Sequence, residues 1–290
     1  MKSDKKLTIV IINYNSIKFL KTLVKSTREI DNIIEEIIII NNDPREKITK
    51  KLFKNKKITI YKNKKNIGFA KAVNQGIKKT KNNFILLLNP DTKIIDNSII
   101  KMFNSIKKKK RWGIIGGKIK QYKNNKKNYL TATSKPTFFT GLFEFTNLKK
   151  LFPNNIFTNK FWIENRHKNN KTIEVDSLCG AFLLFRKYLN KKINLFDKKY
   201  FLYLEDIDFC LNTKQKGYKV IYYPKSKIEH YGGGSNNSKY NTVLKHWYKS
   251  RKYFFKKHTN IISSAILNII FDTTKNLLSL YHYIKNEPAE

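Results

Sequence analysis

The sequence predicts an α/β domain whose core is an open, mostly parallel sheet flanked by helices. Over the first third of the chain, continuous apolar runs alternate with segments whose apolar residues recur at helical spacing. Strands that are apolar at every position are typical of parallel sheets with helices on both faces. The predicted strands are residues 7–12, 36–40, 58–61 and 84–88, and the predicted helices are residues 16–29, 69–79 and 98–110.

The middle of the chain loses this pattern. Residues 122–172 are polar and aromatic, contain Pro136 and Pro153, and are interpreted as a variable insertion or long loop. Order returns at residues 173–185, which predict a strand pair or one long strand. A helix is expected to begin near Glu205, followed by short strands at residues 219–223 and 227–230.

The last segment, residues 239–290, predicts an amphipathic helical tail. Downstream of Lys, Tyr and Trp residues, apolar positions recur at helical spacing: Ile261, Ile262, Ala265, Ile266, Ile269 and Ile270. A basic amphipathic helix of this kind either packs on the domain or lies in a membrane interface. The sequence leaves both alternatives open.

The composition is strongly basic, with 60 Lys and Arg against 21 Asp and Glu and a formal net charge of +39. Such a surface attracts polyanions. However, the lysines are spread along the chain among Asn and Ile residues, and compositional drift in an AT-rich genome would produce the same pattern. Cys179 and Cys210 lack CxxC spacing, which indicates buried thiols in a reducing compartment. No apolar run reaches the roughly 18 residues that span a bilayer, so a cytoplasmic location is expected.

Three carboxylates, Glu205, Asp206 and Asp208, fall within four positions of this acid-poor chain. Because like charges this close repel, a folded framework, a metal ion or a cationic group must hold them together. His230 follows a later apolar run and precedes a glycine loop at residues 232–234. The combination indicates acid/base chemistry beside a hard metal ion, and its alternative is an acidic helix start with a solvated face.

Polar residues also follow the predicted strands at their carboxyl ends, where open α/β sheets bind ligands. Asn89, Pro90 and Asp91 end strand 84–88, and we expect Asp91 to be presented to solvent. Asn13, Tyr14 and Asn15 follow the first strand, while Asn66 and Gly68 open a helix that contains Asn74. These groups suit a phosphate, a ribose or a base edge, but ordinary turns and helix caps use the same residues.

Taken in order, these pieces resemble the family-2 glycosyltransferases with the GT-A fold, and within them the rhamnosyltransferase-like branch. The resemblance covers residues 7–235. Its matching blocks are VIINYNS (10–16), IIIINND (37–43), NKKNIGFAKAVNQGI (63–77), FILLLNPDT (84–92), VDSLCGAFLLFR (175–186), FDKKYFLYLEDIDFC (196–210) and IEHYGGGS (228–235).

The resemblance implies a role for each matching residue. Asp206 is similar to the general base, and Glu205 beside it would contact substrate hydroxyls. Asp91 and His230 would hold Mg²⁺ or Mn²⁺ against the donor diphosphate. The expected nucleotide-sugar contacts are Asn13, Tyr14, Asn15, Asn41, Asn66, Gly68, Asn74, Asn89 and Asp91, and the expected acceptor-side residues are Asp176, Gly180 and Asp208. Asn41 departs from the family, which usually carries Asp there, and this affects the expected base preference.

The implied organisation is a GT-A domain at residues 1–238, followed by the tail at residues 239–290. Residues 1–121 would form the nucleotide-binding half, and residues 173–238 the acceptor and catalytic half after the insertion. The implied activity is inverting transfer of rhamnose, or a related deoxyhexose, from a nucleotide diphosphate to a glycan or lipid-linked acceptor.

The implied setting is cell-surface polysaccharide synthesis. The protein would contact the anionic inner face of the plasma membrane. The alternatives are a basic nucleic-acid or polyanion-binding protein, a metal-dependent phosphohydrolase or nucleotidyltransferase, and a catalytically degenerate nucleotide-sugar binder.

Overall fold

The computed structural model of the chain describes residues 5–53, 55–122, 128–146, 148–166, 170–232 and 240–284. Its first four strands are β1 (Leu7–Asn13), β2 (Ile34–Asn41), β3 (Ile58–Lys62) and β4 (Phe84–Leu88). They lie in the order β3-β2-β1-β4 with every neighbouring pair parallel. The four strands predicted from continuous apolar runs are therefore confirmed, each to within two residues at either end.

The second half of the chain completes a ten-stranded mixed sheet, in the order β3-β2-β1-β4-β11-β6-β14-β5. Its further strands are β5 (Thr92–Ile94), β6 (Trp112–Gln121), β7 (Asn128–Tyr129), β9 (Ile173–Val175), β11 (Phe182–Arg186) and β14 (Lys219–His230). β11 runs antiparallel to both β4 and β6, whereas β14 runs parallel to β6. The mostly parallel prediction therefore describes the first four strands, and the complete sheet is mixed.

Three predicted segments differ in detail. Residues 173–185 form three strands in chain order, β9, β10 (Ser177–Leu178) and β11. The middle one, β10, lies outside the main sheet and pairs with β8 (Ala132–Thr133). The two short strands expected at 219–223 and 227–230 are one strand, β14, whose register shifts between Tyr222 and Lys227. Pro224 lies in that shift, where a residue without an N–H interrupts the ladder. A separate hairpin joins β12 (Tyr188–Leu189) to β13 (Lys192–Ile193).

Helices cover both faces of the sheet, because successive strand residues point to opposite sides. Ile9 and Ile11 belong to one core cluster and Val10 and Ile12 to the other. α2 (Phe69–Lys79) packs on the second face, whereas α1 (Ile17–Ser26) and α3 (Ser98–Lys108) pack on the first. Two 3-10 segments, Thr27–Ile33 and Lys50–Leu52, connect these elements. α8 (Glu205–Gln215) contributes Phe209 to the second face.

Where it is described, the segment interpreted as a variable insertion or long loop is largely helical, so the long-loop alternative was wrong. It contains four short helices, α4 (Phe138–Phe143), α5 (Leu148–Leu151), α6 (Ile156–Phe161) and α7 (Ile163–Arg166). Each helix is too short to be stable alone. Phe145 and Phe161 from this segment join the core beside Phe255, and this packing holds the short helices in place.

Between residues 240 and 284 the tail folds as two helices, α9 (Tyr240–His258) and α10 (Ile261–Ile284). α9 buries Phe254 and Phe255, and α10 buries Leu267 and Phe271 in the same cluster. The predicted apolar stripe lies on the other side of α10, where Ile261, Ile262, Ile266 and Ile269 are exposed. The helix therefore packs on the domain and still presents an apolar face. Within the ranges described above, no helix is both long and apolar enough to cross a bilayer.

Candidate active site

A cavity of about 390 Å³ lies at the carboxyl ends of the strands; we call it the strand-end cavity. Tyr14 follows β1, Asn42 follows β2 and Asn89 follows β4, and all three side chains line it. His230, the last residue of β14, lines the same cavity. The sheet therefore gathers polar side chains from four strands at one place, as the strand-end argument predicted.

An amide pair forms one wall of this cavity. Asn42 donates to the side-chain oxygen of Asn66 at 2.8 Å, and its own oxygen accepts from the backbone N–H of Ile67 at 3.1 Å. Asn66 in turn accepts from the backbone N–H of Gly68 at 2.9 Å. Asn42 was not among the predicted site residues, although the adjacent Asn41 was.

Three of the predicted nucleotide contacts lie behind the cavity wall. Asn13, Asn41 and Asn74 are buried and do not line the cavity. Asn13 donates to Glu46, and the side chain of Asn41 donates to the carbonyl of Glu46 at 2.7 Å. Asn74 exchanges two hydrogen bonds of 2.8 Å with the backbone of Phe196. These amides brace the loops that carry the lining residues.

Two further predicted contacts shape the backbone. Asn15 has a φ of 51°, in the left-handed region where Asn is tolerated. Gly68 has a φ of 85° immediately before α2, and a Cβ there would lie 2.8 Å from the carbonyl oxygen of Phe201. Glycine at this position therefore lets the α2 turn approach the segment that carries the carboxylates.

Asp91 and His230 form a pair at the cavity wall. His230 Nε2 lies 3.0 Å from Asp91 Oδ1, and the pairing of β5 with β14 places His230 opposite Thr92. Asp91 is buried, so the expectation that it is presented to solvent was wrong: the strand pairing and the imidazole cover it. The Tyr129 ring packs 5.3 Å from the His230 ring. Burial, together with the Asp91 charge, raises the pKa of the Tyr129 hydroxyl. Gly233 and Gly234 of the following glycine loop lie outside the described residues.

The same pair offers an oxygen and a nitrogen of the kind that bind divalent cations. In the part of the chain that is described, no three His, Cys, Asp or Glu side chains are grouped closely enough to hold a metal ion alone. Mg²⁺ is usually held by one or two carboxylates together with substrate phosphates and water. Asp91 and His230 fit such a partial set, in which a bound diphosphate would supply the remaining oxygens.

The two candidate catalytic carboxylates stand at the start of α8 on a strained turn. Tyr203 and Leu204 have φ values of 72° and 65°, so two successive residues other than glycine adopt the left-handed conformation. Each such residue costs about 1–2 kcal/mol. The cost is tolerated because Leu204 is buried and the Tyr203 ring packs edge-on to Trp247 at 5.7 Å. The turn directs Glu205 and Asp206 into the strand-end cavity.

Burial sets the proton affinity of these carboxylates. Burial raises the pKa of Asp206, although the N–H groups of Gly180 and Ile207, each 2.8 Å away, partly oppose it. The pKa of Glu205 is raised well above its ordinary value, first by burial and then by the Asp206 charge. The pKa of Asp206 is raised by burial and not by the charges of Glu205 and Asp208.

Two predicted acceptor-side residues lie away from the cavity, whereas Gly180 lines it and hydrogen-bonds Asp206. Asp208 is buried against α9, where His258 contacts it at 2.7 Å and Lys257 at 2.8 Å. Asp176 contacts Lys214 at 2.5 Å on the other end of α8. The geometry therefore gives no acceptor contact to Asp208 or Asp176, because both are engaged in ion pairs outside the cavities.

A second cavity of about 240 Å³ meets the first at the carboxylates; we call it the insertion cavity. It shares Cys179, Tyr203, Glu205 and Asp206 with the strand-end cavity. Its remaining aromatic lining comes from the insertion and from α9: Phe145, Phe161, Trp162 and Trp247. None of these four was predicted as a site residue. The only sequence signal was the density of aromatic residues in those two segments.

α9 also contributes to the strand-end cavity. His246 lines it and stacks on Phe201, with ring centroids 3.9 Å apart. Burial, together with the charges of Lys249 and Lys245, lowers the pKa of His246. Because the resemblance ends at residue 235, His246 could not be carried over from the family.

The arrangement has the parts needed for transfer between two bound molecules. One cavity carries amides and a carboxylate–imidazole pair, the other is aromatic, and two carboxylates of raised pKa stand where they meet. A carboxylate of raised pKa is suited to take a proton from a hydroxyl.

Comparison with curated proteins gives relatives of one kind. A rhamnosyltransferase, WbbL of Escherichia coli (strain K12), is 31% identical over 90 residues, which cover 31% of this chain and 34% of that protein. An N-acetylglucosaminyl-diphospho-decaprenol L-rhamnosyltransferase of Mycobacterium tuberculosis is 24% identical over 177 residues, 57% of this chain and 56% of that protein. The matches thus span between a third and just over half of these relatives' length.

Solved structures share the fold. A crystal structure of GalNAc-T7 with UDP, GalNAc and Mn²⁺ aligns with a TM-score of 0.55 at 15% identity, covering 88% of this chain and 50% of that one. Staphylococcus aureus TarS, residues 1–349, aligns with a TM-score of 0.51 at 13% identity, covering 92% and 70%. The expected GT-A fold is confirmed. The model of the glycosyl transferase family 2 matches residues 8–193, and this chain therefore belongs to that family, with rhamnosyltransferases among its relatives.

Proposed function

We propose that this protein is an inverting glycosyltransferase that moves rhamnose from dTDP-rhamnose to a glycan or lipid-linked acceptor in cell-surface polysaccharide synthesis. The observation that carries the proposal is the meeting of two cavities at Glu205 and Asp206. Support for the sugar comes from the two rhamnosyltransferases among the relatives. Support for a lipid-linked acceptor comes from the mycobacterial relative, whose name includes a diphospho-decaprenol.

Asp206 is the proposed general base. The acceptor hydroxyl oxygen attacks the anomeric carbon of the donor sugar, and its proton passes to the Asp206 carboxylate. The bond between that carbon and the diphosphate oxygen breaks, and the leaving diphosphate takes the electron pair. Attack from the face opposite the leaving group inverts the anomeric centre. The raised pKa of Asp206 increases its basicity toward the hydroxyl proton.

Asp91 and His230 are the proposed protein ligands of Mg²⁺ or Mn²⁺, which when bound would act as a Lewis acid on the diphosphate. The Tyr129 ring packs against His230 and would limit its rotation. Asn42 and Asn66 have fixed amide orientations and would hydrogen-bond the ribose or base of the donor. Glu205 would contact a hydroxyl of either substrate.

The test is the thermal stability of the purified protein with UDP, dTDP, GDP or CDP, each with and without Mn²⁺. A ligand at about 100 times its dissociation constant stabilises by roughly 2.7 kcal/mol. We expect the largest rise with dTDP and Mn²⁺, and its loss in Asp91→Ala. Asp31→Ala, which removes an exposed partner of Lys57, is the matched control and should keep the rise.

The outcomes separate the alternatives. A larger rise with another nucleotide would replace the proposed donor base. A metal-independent rise would remove the ion from the proposal. The absence of any rise in folded protein would contradict donor binding and favour a polyanion binder or a degenerate family member.

We also propose a cytoplasmic location with peripheral contact to an anionic membrane surface. Ile261, Ile262 and Ile269 on α10 are 88%, 74% and 67% exposed, and the protein carries a formal charge of +39. Apolar side chains beside a basic surface bind anionic lipid both by burying apolar area in the bilayer and by electrostatic attraction to the headgroups. Sedimentation with anionic vesicles at low salt should be weakened by Ile261→Asp with Ile262→Asp. It should be unchanged by Ile193→Asp on the β12–β13 hairpin, and no sedimentation of the wild-type protein would exclude the contact.

A further inference from the structure

The insertion cavity has an aromatic lining that other rings hold in place. Phe145 and Trp247 stack with centroids 5.6 Å apart and planes at 10°, and Tyr203 meets Trp247 edge-on at 84°. Phe161 packs against Trp162 at 5.0 Å. Rings fixed in this way offer flat apolar faces at little further cost in side-chain entropy.

The same cavity has unsatisfied polar atoms in its walls. Glu144 Oε2, Trp162 Nε1 and Glu205 Oε2 are buried, and among the described residues none of them has a hydrogen-bond partner. A buried polar atom without a partner costs about 1–3 kcal/mol. Two of these atoms accept hydrogen bonds and one donates. All three residues line the cavity, so a bound molecule that carries both donors and acceptors would supply the missing partners if these side chains turn toward it.

These features select the chemistry of the occupant. The Asp206 and Glu144 carboxylates oppose a phosphate, which offers them no hydrogen-bond donor, although Lys149, paired with Glu144 Oε1 at 2.6 Å, offsets part of the Glu144 charge. An alkyl chain would leave the polar atoms unpaired. Sugar hydroxyls donate to carboxylates and accept from an N–H, while the C–H faces of the ring pack on aromatic side chains. At about 240 Å³ the cavity is smaller than the roughly 300–1,000 Å³ of drug-sized sites, and suits a single ring.

We propose that the insertion cavity binds one uncharged sugar ring of the acceptor, held by Trp162, Trp247 and Glu144, with a hydroxyl directed at Asp206. Any charged or lipid portion of the acceptor would remain outside it. This inference rests on the proposed function, because only a transferase needs an acceptor there. Its own content is the class of group bound and the residues of the insertion and α9 that bind it.

The test measures binding of methyl glycosides of neutral hexoses and N-acetylhexosamines by saturation-transfer NMR and by tryptophan fluorescence. Of the three tryptophans in the chain, Trp162 and Trp247 line the cavity and Trp112 lies at the start of β6. Trp112→Phe therefore limits the fluorescence signal to the two cavity tryptophans. We expect at least one neutral glycoside to bind and change this fluorescence. Glucose 1-phosphate and decanol should neither bind there nor compete with it.

Variants assign the binding to residues. Trp162→Ala and Glu144→Gln should each weaken glycoside binding by about tenfold or more, which corresponds to about 1.4 kcal/mol. Glu174→Gln, a surface partner of Lys219, should leave it unchanged. All variants should keep the nucleotide-dependent rise in thermal stability, which shows that they fold and that the donor side is intact.

The outcomes distinguish the two proposals. Nucleotide binding without any glycoside binding, or competition by decanol or glucose 1-phosphate, would overturn the acceptor inference while leaving the transferase proposal in place. Glycoside binding without any nucleotide binding would support a sugar site and count against the transferase.

Discussion

His258 Nε2 lies 2.7 Å from Asp208 Oδ1, across the contact between α9 and α8. Asp208 is completely buried, and Lys257 contacts the same carboxylate oxygen at 2.8 Å. α8 carries the candidate base Asp206 two residues earlier, and α9 carries His246 into the strand-end cavity. The pair therefore fastens α9 to α8, the helix that carries the candidate base.

Replacing Asp208 with Asn should destabilise the protein strongly, because it leaves the His258 and Lys257 side chains without their shared partner. Removing one member of a buried ion pair costs about 3–5 kcal/mol, and we expect the low end because Lys257 also pairs with Asp197. Urea unfolding measures the change. Asp272→Asn, which breaks an exposed pair with Lys252, should cost under about 1 kcal/mol. Equal losses in the two variants would mean that the Asp208 pair contributes no more than a surface contact.

Replacing Asp206 with Asn should lower sugar transfer by about 10²–10⁴-fold, the usual contribution of a general base. Nucleotide binding should remain, since Asp206 is not among the proposed metal or nucleotide ligands. Initial rates of nucleotide release in the presence of acceptor measure the loss. Asp176→Asn breaks a contact with Lys214 outside both cavities and should keep near wild-type rates. Full activity in Asp206→Asn would exclude the proposed base.

The pH dependence of transfer should reflect the raised pKa of Asp206. The base must be ionised to accept a proton, so the rate of transfer should rise with pH as the Asp206 carboxyl loses its proton. Because burial raises that pKa above 3.8, the rise should lie at a higher pH than an ordinary aspartate gives. The measurement is kcat/KM against pH. A rate that is already constant from pH 4 upward would show that no buried carboxylate of raised pKa limits the reaction.

The elements that the sequence predicted well are those determined by local pattern. β4 and α2 have the bounds expected from the apolar run at 84–88 and the helical spacing at 69–79. The short helices of the insertion have no such pattern, because contacts between residues apart in sequence stabilise them, such as Phe145 with Phe161 and Phe145 with Phe255. The buried stripe of α10 could not be distinguished from its exposed isoleucines, because both sets of residues recur at helical spacing.

The candidate site shows the same division between local and distant information. The blocks identified Asp91, His230, Glu205 and Asp206, which the fold brings to one cavity. Asn41 was expected where Asn42 lies, because adjacent residues at a strand end point to opposite sides and the turn decides which enters the cavity. Asp208 follows Asp206 by two helical positions, about 200° around α8, and so faces α9.

Glu205→Gln should stabilise the protein increasingly as pH rises. The pKa of Glu205 in the folded protein lies well above its ordinary value of 4.5, so the folded state binds this proton more tightly than the unfolded chain. Stability is therefore lost as pH increases from about 4.5 through the raised pKa, and a glutamine cannot ionise to incur that loss. The difference in melting temperature between Glu205→Gln and the wild-type protein should widen with pH in this window. Glu35→Gln at an exposed pair with Lys6 is the control, and a constant gap for Glu205→Gln would contradict the raised pKa.

Lys191→Gly should stabilise the hairpin between β12 and β13. Asn190 and Lys191 form its two-residue turn and have φ values of 49° and 62°, which is the conformation that favours Asn followed by Gly. The left-handed region costs a residue with a Cβ about 1–2 kcal/mol, so removing the side chain should gain roughly 1 kcal/mol after the entropy of glycine in the unfolded chain is included. Lys191→Ala removes the same charge but keeps the Cβ. Chemical unfolding should therefore place the glycine variant above both the alanine variant and the wild type, and equal stability of the two variants would trace any gain to the lost charge instead of the backbone.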